Sequence, residues 1–120
     1  MLTYQKKPDS NVAEIIVDGK ITDAEMDAVI ASMKADFDAG TKLRLLQDIR
    51  TFEGMEPAAF FKDVRFGLAL LKGVSHVAVV SDAQWVRMMA ETAGRLSPAQ
   101  IKVFERPRLE EARSWLASAT

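Results

Sequence analysis

The sequence predicts an α/β fold: a mixed, mostly parallel sheet of about five strands with four helices, in the order β-β-α-β-α-β-α-β-α. Three observations point to it. Strand-like runs alternate with segments of helical period along most of the chain, as right-handed crossover units require. The run Val77-Ala78-Val79-Val80 is continuously apolar, which suits a central parallel strand covered on both faces. The first two strand-like segments are separated only by the polar turn Lys6–Asn11, which makes them a hairpin and so one antiparallel pair.

Taken in order, Leu2–Gln5 alternates weakly and Val12–Val17 is rich in β-branched residues, so both read as strands. Gly19 breaks the second. Thr22-Asp23-Ala24-Glu25 matches a capping box, and Met26, Val29, Ile30, Met33 and Phe37 follow on one stripe. That spacing predicts a helix over 23–39, closed by Gly40 as a left-handed C′ residue. Leu43–Ile49 is the third strand. Pro57 suits the first turn of a second helix, carried by Phe60, Val64, Leu68 and Leu71 and ended by Gly73. Ser75–Val80 is the fourth strand. Ser81-Asp82-Ala83-Gln84 matches another capping box, ahead of a stripe of Trp85, Val86, Met89, Ala90 and Ala93 that Gly94 closes. Ile101–Phe104 is the last strand. Pro107 opens the last helix, with Leu109, Ala112 and Leu116 facing inward and Trp115 beside them. There is no internal repeat, low-complexity tract or linker, so residues 1–120 form a single domain, a length that buries a core without staples.

Composition excludes several functions. Of the 120 residues 48% are apolar and 28% charged, and the formal net charge is -1. The first half, residues 1–60, carries 7 basic and 11 acidic side chains and the second half 9 and 6. That imbalance fits one acidic and one basic surface but is far short of a nucleic-acid footprint. With no cysteine and one histidine, thiol catalysis, disulfides and a histidine-rich metal centre within one chain are ruled out. No run approaches the apolar length of a transmembrane helix, and MLTYQKKPDS has no signal-like stretch. The expected location is therefore cytoplasmic. The glycine-rich dinucleotide and Walker signatures and the G-x-S-x-G elbow are missing, so no cofactor and no catalytic residue are expected.

In open parallel sheets, ligands bind beyond the carboxyl ends of the strands. The loops selected by that rule are Gln47–Glu56, Ser81–Trp85 and Phe104–Arg108, with Asp18–Thr22 beside them. Asp48, Arg50, Phe52, Met55 and Trp85 are the candidate ligand- or partner-binding residues. Asp48 and Arg50 either present polar chemistry or hold the loop by salt bridge. Phe52 and Met55 either form a binding lip or fold back on the core, and Trp85 either roofs a cleft or plugs the core. Ser81 and Asp82 read first as helix caps. His76, at the start of a strand, reads as a structural or surface residue. Arg106 and Arg108 read first as solvated surface arginines, with an acidic partner or a phosphate as the alternative.

Four stretches stand out together: Ile16-Val17-Asp18-Gly19-Lys20-Ile21-Thr22, Leu43–Asp48 leading to Phe52-Glu53-Gly54, Val77–Asp82 with Trp85, and Val103-Phe104 with Glu111–Leu116. With them the sequence resembles the SpoIIAA-like family of small bacterial proteins, also described as STAS/SEC14-like domains. The resemblance implies a mixed sheet of four or five strands with helices beside it. The anti-sigma-factor antagonists of this fold are protein-interaction modules switched by phosphorylation of an Asp-Ser-Ser/Thr-Gly type stretch after the third strand. Asp48–Gly54 contains no serine, and Thr51 is its one hydroxyl, so the usual phosphorylatable motif is missing. The expected function is a non-enzymatic interaction or regulatory module that pairs with a protein partner or with itself as a homodimer. One alternative is a carrier or sensor of a small apolar or lipid-like ligand, the reading that the SEC14 likeness implies. Another is an enzyme using Asp48 and Arg50.

Overall fold

The structure is a computed structural model, and it describes residues 1–40, 42–54, 56, 65 and 73–119. Five strands, β1 (Leu2–Lys6), β2 (Val12–Val17), β3 (Leu43–Ile49), β4 (Val74–Val80) and β5 (Gln100–Phe104), form one sheet in sequential order. β1 is antiparallel to β2, and every later pair is parallel. The mixed, mostly parallel sheet expected from the sequence is therefore present.

Three α-helices lie among the described residues: α1 (Asp23–Asp38), α2 (Gln84–Leu96) and α3 (Leu109–Ser118). The sequence reading has four. Its second, over Pro57 to Leu71, lies outside the described residues. Pro107 does not open an α-helix; it lies in a 3-10 turn, Arg106–Arg108, and α3 begins after it.

Strand alternation sends side chains to two cores. Ala13, Ile15, Val17, Leu43 and Leu45 face one side, where they pack with Met26, Val29 and Met33 of α1. Val12, Leu46, Ala78, Val80 and Phe104 face the other, where Ala112 and Leu116 of α3 cover them. β4 feeds both layers, as its apolar run requires.

The α1 capping box forms in full: Thr22 accepts from the Glu25 amide while the Glu25 side chain accepts from the Thr22 amide. At the other end Gly40 has φ +88°, the left-handed conformation in which only glycine avoids a side-chain penalty. α2 differs from expectation. Its N-cap is Ala83, with no side-chain cap bond, so the box at Ser81–Gln84 does not form. The helix also continues past Gly94 to Leu96. Gly94 serves close approach instead, since a Cβ there would lie 3.2 Å from Ile101 Cβ. Of the stripe expected on this helix only Val86 is buried, and Trp85 and Met89 are exposed.

Candidate functional site

The carboxyl ends of β2 through β5 meet at one end of the sheet. Asp48, the penultimate residue of β3, alternates onto the α3 side and is only 2% exposed. Its Oδ2 lies 3.5 Å from Arg50 Nε and its Oδ1 lies 3.3 Å from Arg106 Nε. The buried carboxylate thus holds two guanidiniums that arrive from different loops. Their side chains stay 43% and 33% exposed. The pairing of Asp48 with Arg50 follows from their adjacency in sequence. Arg106 was read as a solvated arginine, and the structure corrects this. The parallel order sets β5 two strands from β3, and an arginine just beyond β5 spans that gap.

Loop 50–54 is fixed to the turn after β2. The Arg50 amide donates to Val17 O at 2.9 Å, Glu53 N to Gly19 O at 2.9 Å, and Ile21 N to Gly54 O at 2.9 Å. The Thr51 hydroxyl donates to Asp18 Oδ1 at 2.6 Å and accepts from the Gly19 amide at 2.8 Å. Glu56 accepts from the Asp23 amide at 2.7 Å, placing negative charge where the α1 dipole favours it.

Ser81 and Asp82 hold the next two loops. Ser81 is buried, and its amide continues the β4–β5 ladder to Phe104 O at 3.0 Å. Its Oγ accepts from the Ala83 amide at 3.1 Å and its carbonyl from Arg87 Nη1 at 2.9 Å. Asp82 Oδ1 accepts from the Arg106 amide at 2.9 Å, which anchors the chain after β5 rather than capping α2.

Above these loops Phe52 and Trp85 stand together, ring centroids 5.8 Å apart and planes tilted by 55°. They are 37% and 52% exposed, so Trp85 does not plug the core. Met55, the other apolar candidate, lies outside the described residues. The exposed surface continues along α2 through Met88, Met89 and Leu96, 59%, 63% and 83% exposed. A shallow groove lies between these side chains, Thr92 and Ala93. The sequence reading missed this face, because helical period groups side chains without revealing what the group meets.

Two other clusters lie apart from this end. His76, buried at the start of β4, meets Ser75 Oγ at 2.9 Å and the edge of Trp115 at 5.6 Å. Burial and the nearby Arg44 hold its imidazole below the usual range. A hollow of about 180 Å³ near the amino ends of β2 and β3 is lined by Arg44, Arg113 and Glu14 among others. Arg113 there is committed to Glu14 and Glu110, and Arg44 to the Leu116 carbonyl. Among the described residues no group of three or more histidine, aspartate or glutamate side chains converges on a metal position, and no helix is long and apolar enough to cross a membrane.

The family model for SpoIIAA-like proteins matches residues 12–117, all but the two ends of the chain. The chain belongs to the SpoIIAA-like family. Its fold agrees with the crystal structure of an uncharacterised protein of the DUF3478 family with a SpoIIAA-like fold, from Shewanella loihica PV-4. The two are 22% identical, with a TM-score of 0.78 over 97% of this chain and 92% of the other. No curated protein matches the chain. In this SpoIIAA-like domain the segment after β3 holds the Thr51 hydroxyl between Asp18 and Gly19.

Proposed function

We propose that this SpoIIAA-like domain is a non-enzymatic interaction module whose docking face is the outer side of α2, and that its first partner is a second copy of itself. The observation that carries this reading is the exposure of Trp85, Met88, Met89 and Leu96 on one short helix. Scattered surface apolar residues need no explanation, but a contiguous set does. Their exposed fractions amount to roughly 500 Å² per chain, since large apolar side chains carry about 150–250 Å² each. Two such faces together reach roughly 1,000 Å², the lower limit of a specific interface. Trp85, Met89, Thr92 and Leu96 are spaced four, three and four apart, the seam of a helix pair. Two copies of α2 laid antiparallel about a two-fold axis set Trp85 against Leu96 and Met89 against Thr92, so the face complements itself. α2 packs on β5, the last strand of the sheet, where a second molecule meets no other strand.

A carrier of a small apolar ligand is the alternative, supported by the open apolar groove on α2 and the Phe52–Trp85 pair. A carrier encloses most of its ligand, and this groove is shallow, which favours docking. No catalytic role is proposed for Asp48 or Arg50, whose contacts with each other and with Arg106 account for their placement.

Native mass spectrometry of protein purified without denaturation tests the reading. The expected result is a dimer without added mass that becomes a folded monomer in the M88E/M89E variant. A wild-type monomer at all concentrations overturns the self-association. An added mass of a few hundred daltons, lost on unfolding, replaces docking with the carrier reading.

A further inference from the structure

We propose that Arg50 and Arg106, set on the buried carboxylate of Asp48, form a binding site for a small organic anion, a carboxylate or phosphate monoester borne on a planar apolar body. Both guanidiniums meet Asp48 through Nε, at 3.5 Å and 3.3 Å. Among the described residues neither makes a side-chain hydrogen bond or ion pair through its Nη nitrogens. Each fork is therefore fixed at its root and open at its tip, and the tips are the groups that grip a carboxylate or phosphate in parallel. The side chains are 43% and 33% exposed while Asp48 is 2% exposed, so an incoming anion reaches the guanidiniums and not the carboxylate.

Orientation is supplied before binding, which lowers its entropic cost. The Arg50 amide is bonded to Val17 O and the Arg106 amide to Asp82 Oδ1, so both backbones are anchored as well. The two guanidiniums outnumber the one buried carboxylate they share. The carboxylates that oppose an anion from the surrounding loops are Asp82, with one oxygen engaged by the Arg106 amide, Asp18, with one oxygen engaged by the Thr51 hydroxyl, and Glu53 and Glu105.

The apolar half of the ligand is read from Phe52. It lies two residues beyond Arg50, within about 7 Å along the chain, and it is exposed with its ring against Trp85. Aromatic faces of this kind take a flat ligand body in offset or tilted packing. An aryl carboxylate or aryl phosphate engages both halves, whereas an aliphatic anion engages the arginines alone.

The site shares Trp85 with the proposed self-docking face, and the M88E/M89E variant, in which that face is not covered, separates the two. The test is a titration of wild-type protein and of the M88E/M89E variant with benzoate, phenyl phosphate, inorganic phosphate and neutral benzamide. The readouts are the arginine Nε–Hε and tryptophan indole resonances. Expected are saturable shifts of Arg50 and Arg106 with benzoate and phenyl phosphate in both proteins, of Trp85 in the M88E/M89E variant, and none at Trp115. The single variants R50Q and R106Q should each weaken binding at least tenfold while keeping a native spectrum. Absence of saturable shifts with both aryl anions, or equal shifts with benzamide, overturns the site. Equal affinity for inorganic phosphate and phenyl phosphate overturns the aromatic half of the assignment.

Discussion

At the scale of single residues, Asp48 and His76 show how position on a strand decides what a polar side chain becomes. Both lie on the α3 side of the sheet, one at the carboxyl end of β3 and the other at the start of β4. Asp48 is buried but reaches two arginines, so the two ways of breaking that cluster should differ in cost. D48A leaves two arginines that water can still solvate, and a loss of about 1–2 kcal/mol is expected. The R50A/R106A double variant leaves a buried charge unpaired, and about 3 kcal/mol or more is expected. Urea unfolding of the two proteins orders them, and a larger loss for D48A contradicts the geometry. His76 is buried and held neutral, first by desolvation and then by Arg44. In the unfolded chain it titrates near its ordinary value of about 6.5, so between that pH and the lowered folded value the unfolded state binds more protons. Its contribution to stability is therefore present above about pH 6.5 and lost as pH falls through the folded value. The H76L variant should flatten the fall in urea midpoint between about pH 7 and 5. The carboxylate of Glu25 is also held low, chiefly by the Leu2 amide and then by Thr22. Its contribution is lost only as pH falls below its ordinary value of 4.5, a separate window. In sequence, His76 was legible as a structural or surface residue from its distance to the carboxyl ends of the strands. The contact of Asp48 with Arg106 was not, because a bond across 58 residues leaves no local signal.

Two stretches with the same capping signature behaved differently at the scale of elements, and the reason is physical. Thr22 follows a turn, so its backbone is free to cap, and Glu25 stands at N3 where it reaches back. Ser81 is still hydrogen-bonded in the ladder to Phe104, so α2 starts two residues later and Gln84 is its first residue, too early to close a box. Thr22→Ala should cost about 1 kcal/mol. Glu25→Ala should cost more, because Glu25 Oε2 also accepts from the Leu2 amide at 2.8 Å and ties α1 to β1. Comparison of their denaturant midpoints checks the order. Gly73 makes a second element-scale contact. A Cβ there would sit 2.6 Å from Phe37 Cε1, so Gly73→Ala must displace the ring from the α1 layer. The expected loss is about 1–3 kcal/mol, and F37L, which opens the space, should recover part of it. The sequence places Gly73 as a helix stop. Its steric role needs the tertiary neighbour and so could not be read from spacing.

At the scale of the whole molecule, the succession of strands along the chain, the hairpin and the mostly parallel pairing were legible because apolar runs and turns encode them locally. The outer face of α2 was not. Its apolar spacing is what a core helix has, and only packing reveals that Val86 takes the inward position while Trp85, Met88, Met89 and Leu96 remain outside. A face that reads as core yet meets water among the described residues behaves as core once a partner covers it. Coverage by a second copy has a thermodynamic signature that coverage by a ligand lacks, since stability then depends on protein concentration by mass action. For a dimer of chains this size, the midpoint of thermal unfolding should rise by roughly 2–4 °C per tenfold increase in concentration. The M88E/M89E variant should show no such dependence while keeping the same sheet signature by circular dichroism. A wild-type midpoint independent of concentration, with the variant equally stable, means that a second copy does not cover α2 in solution.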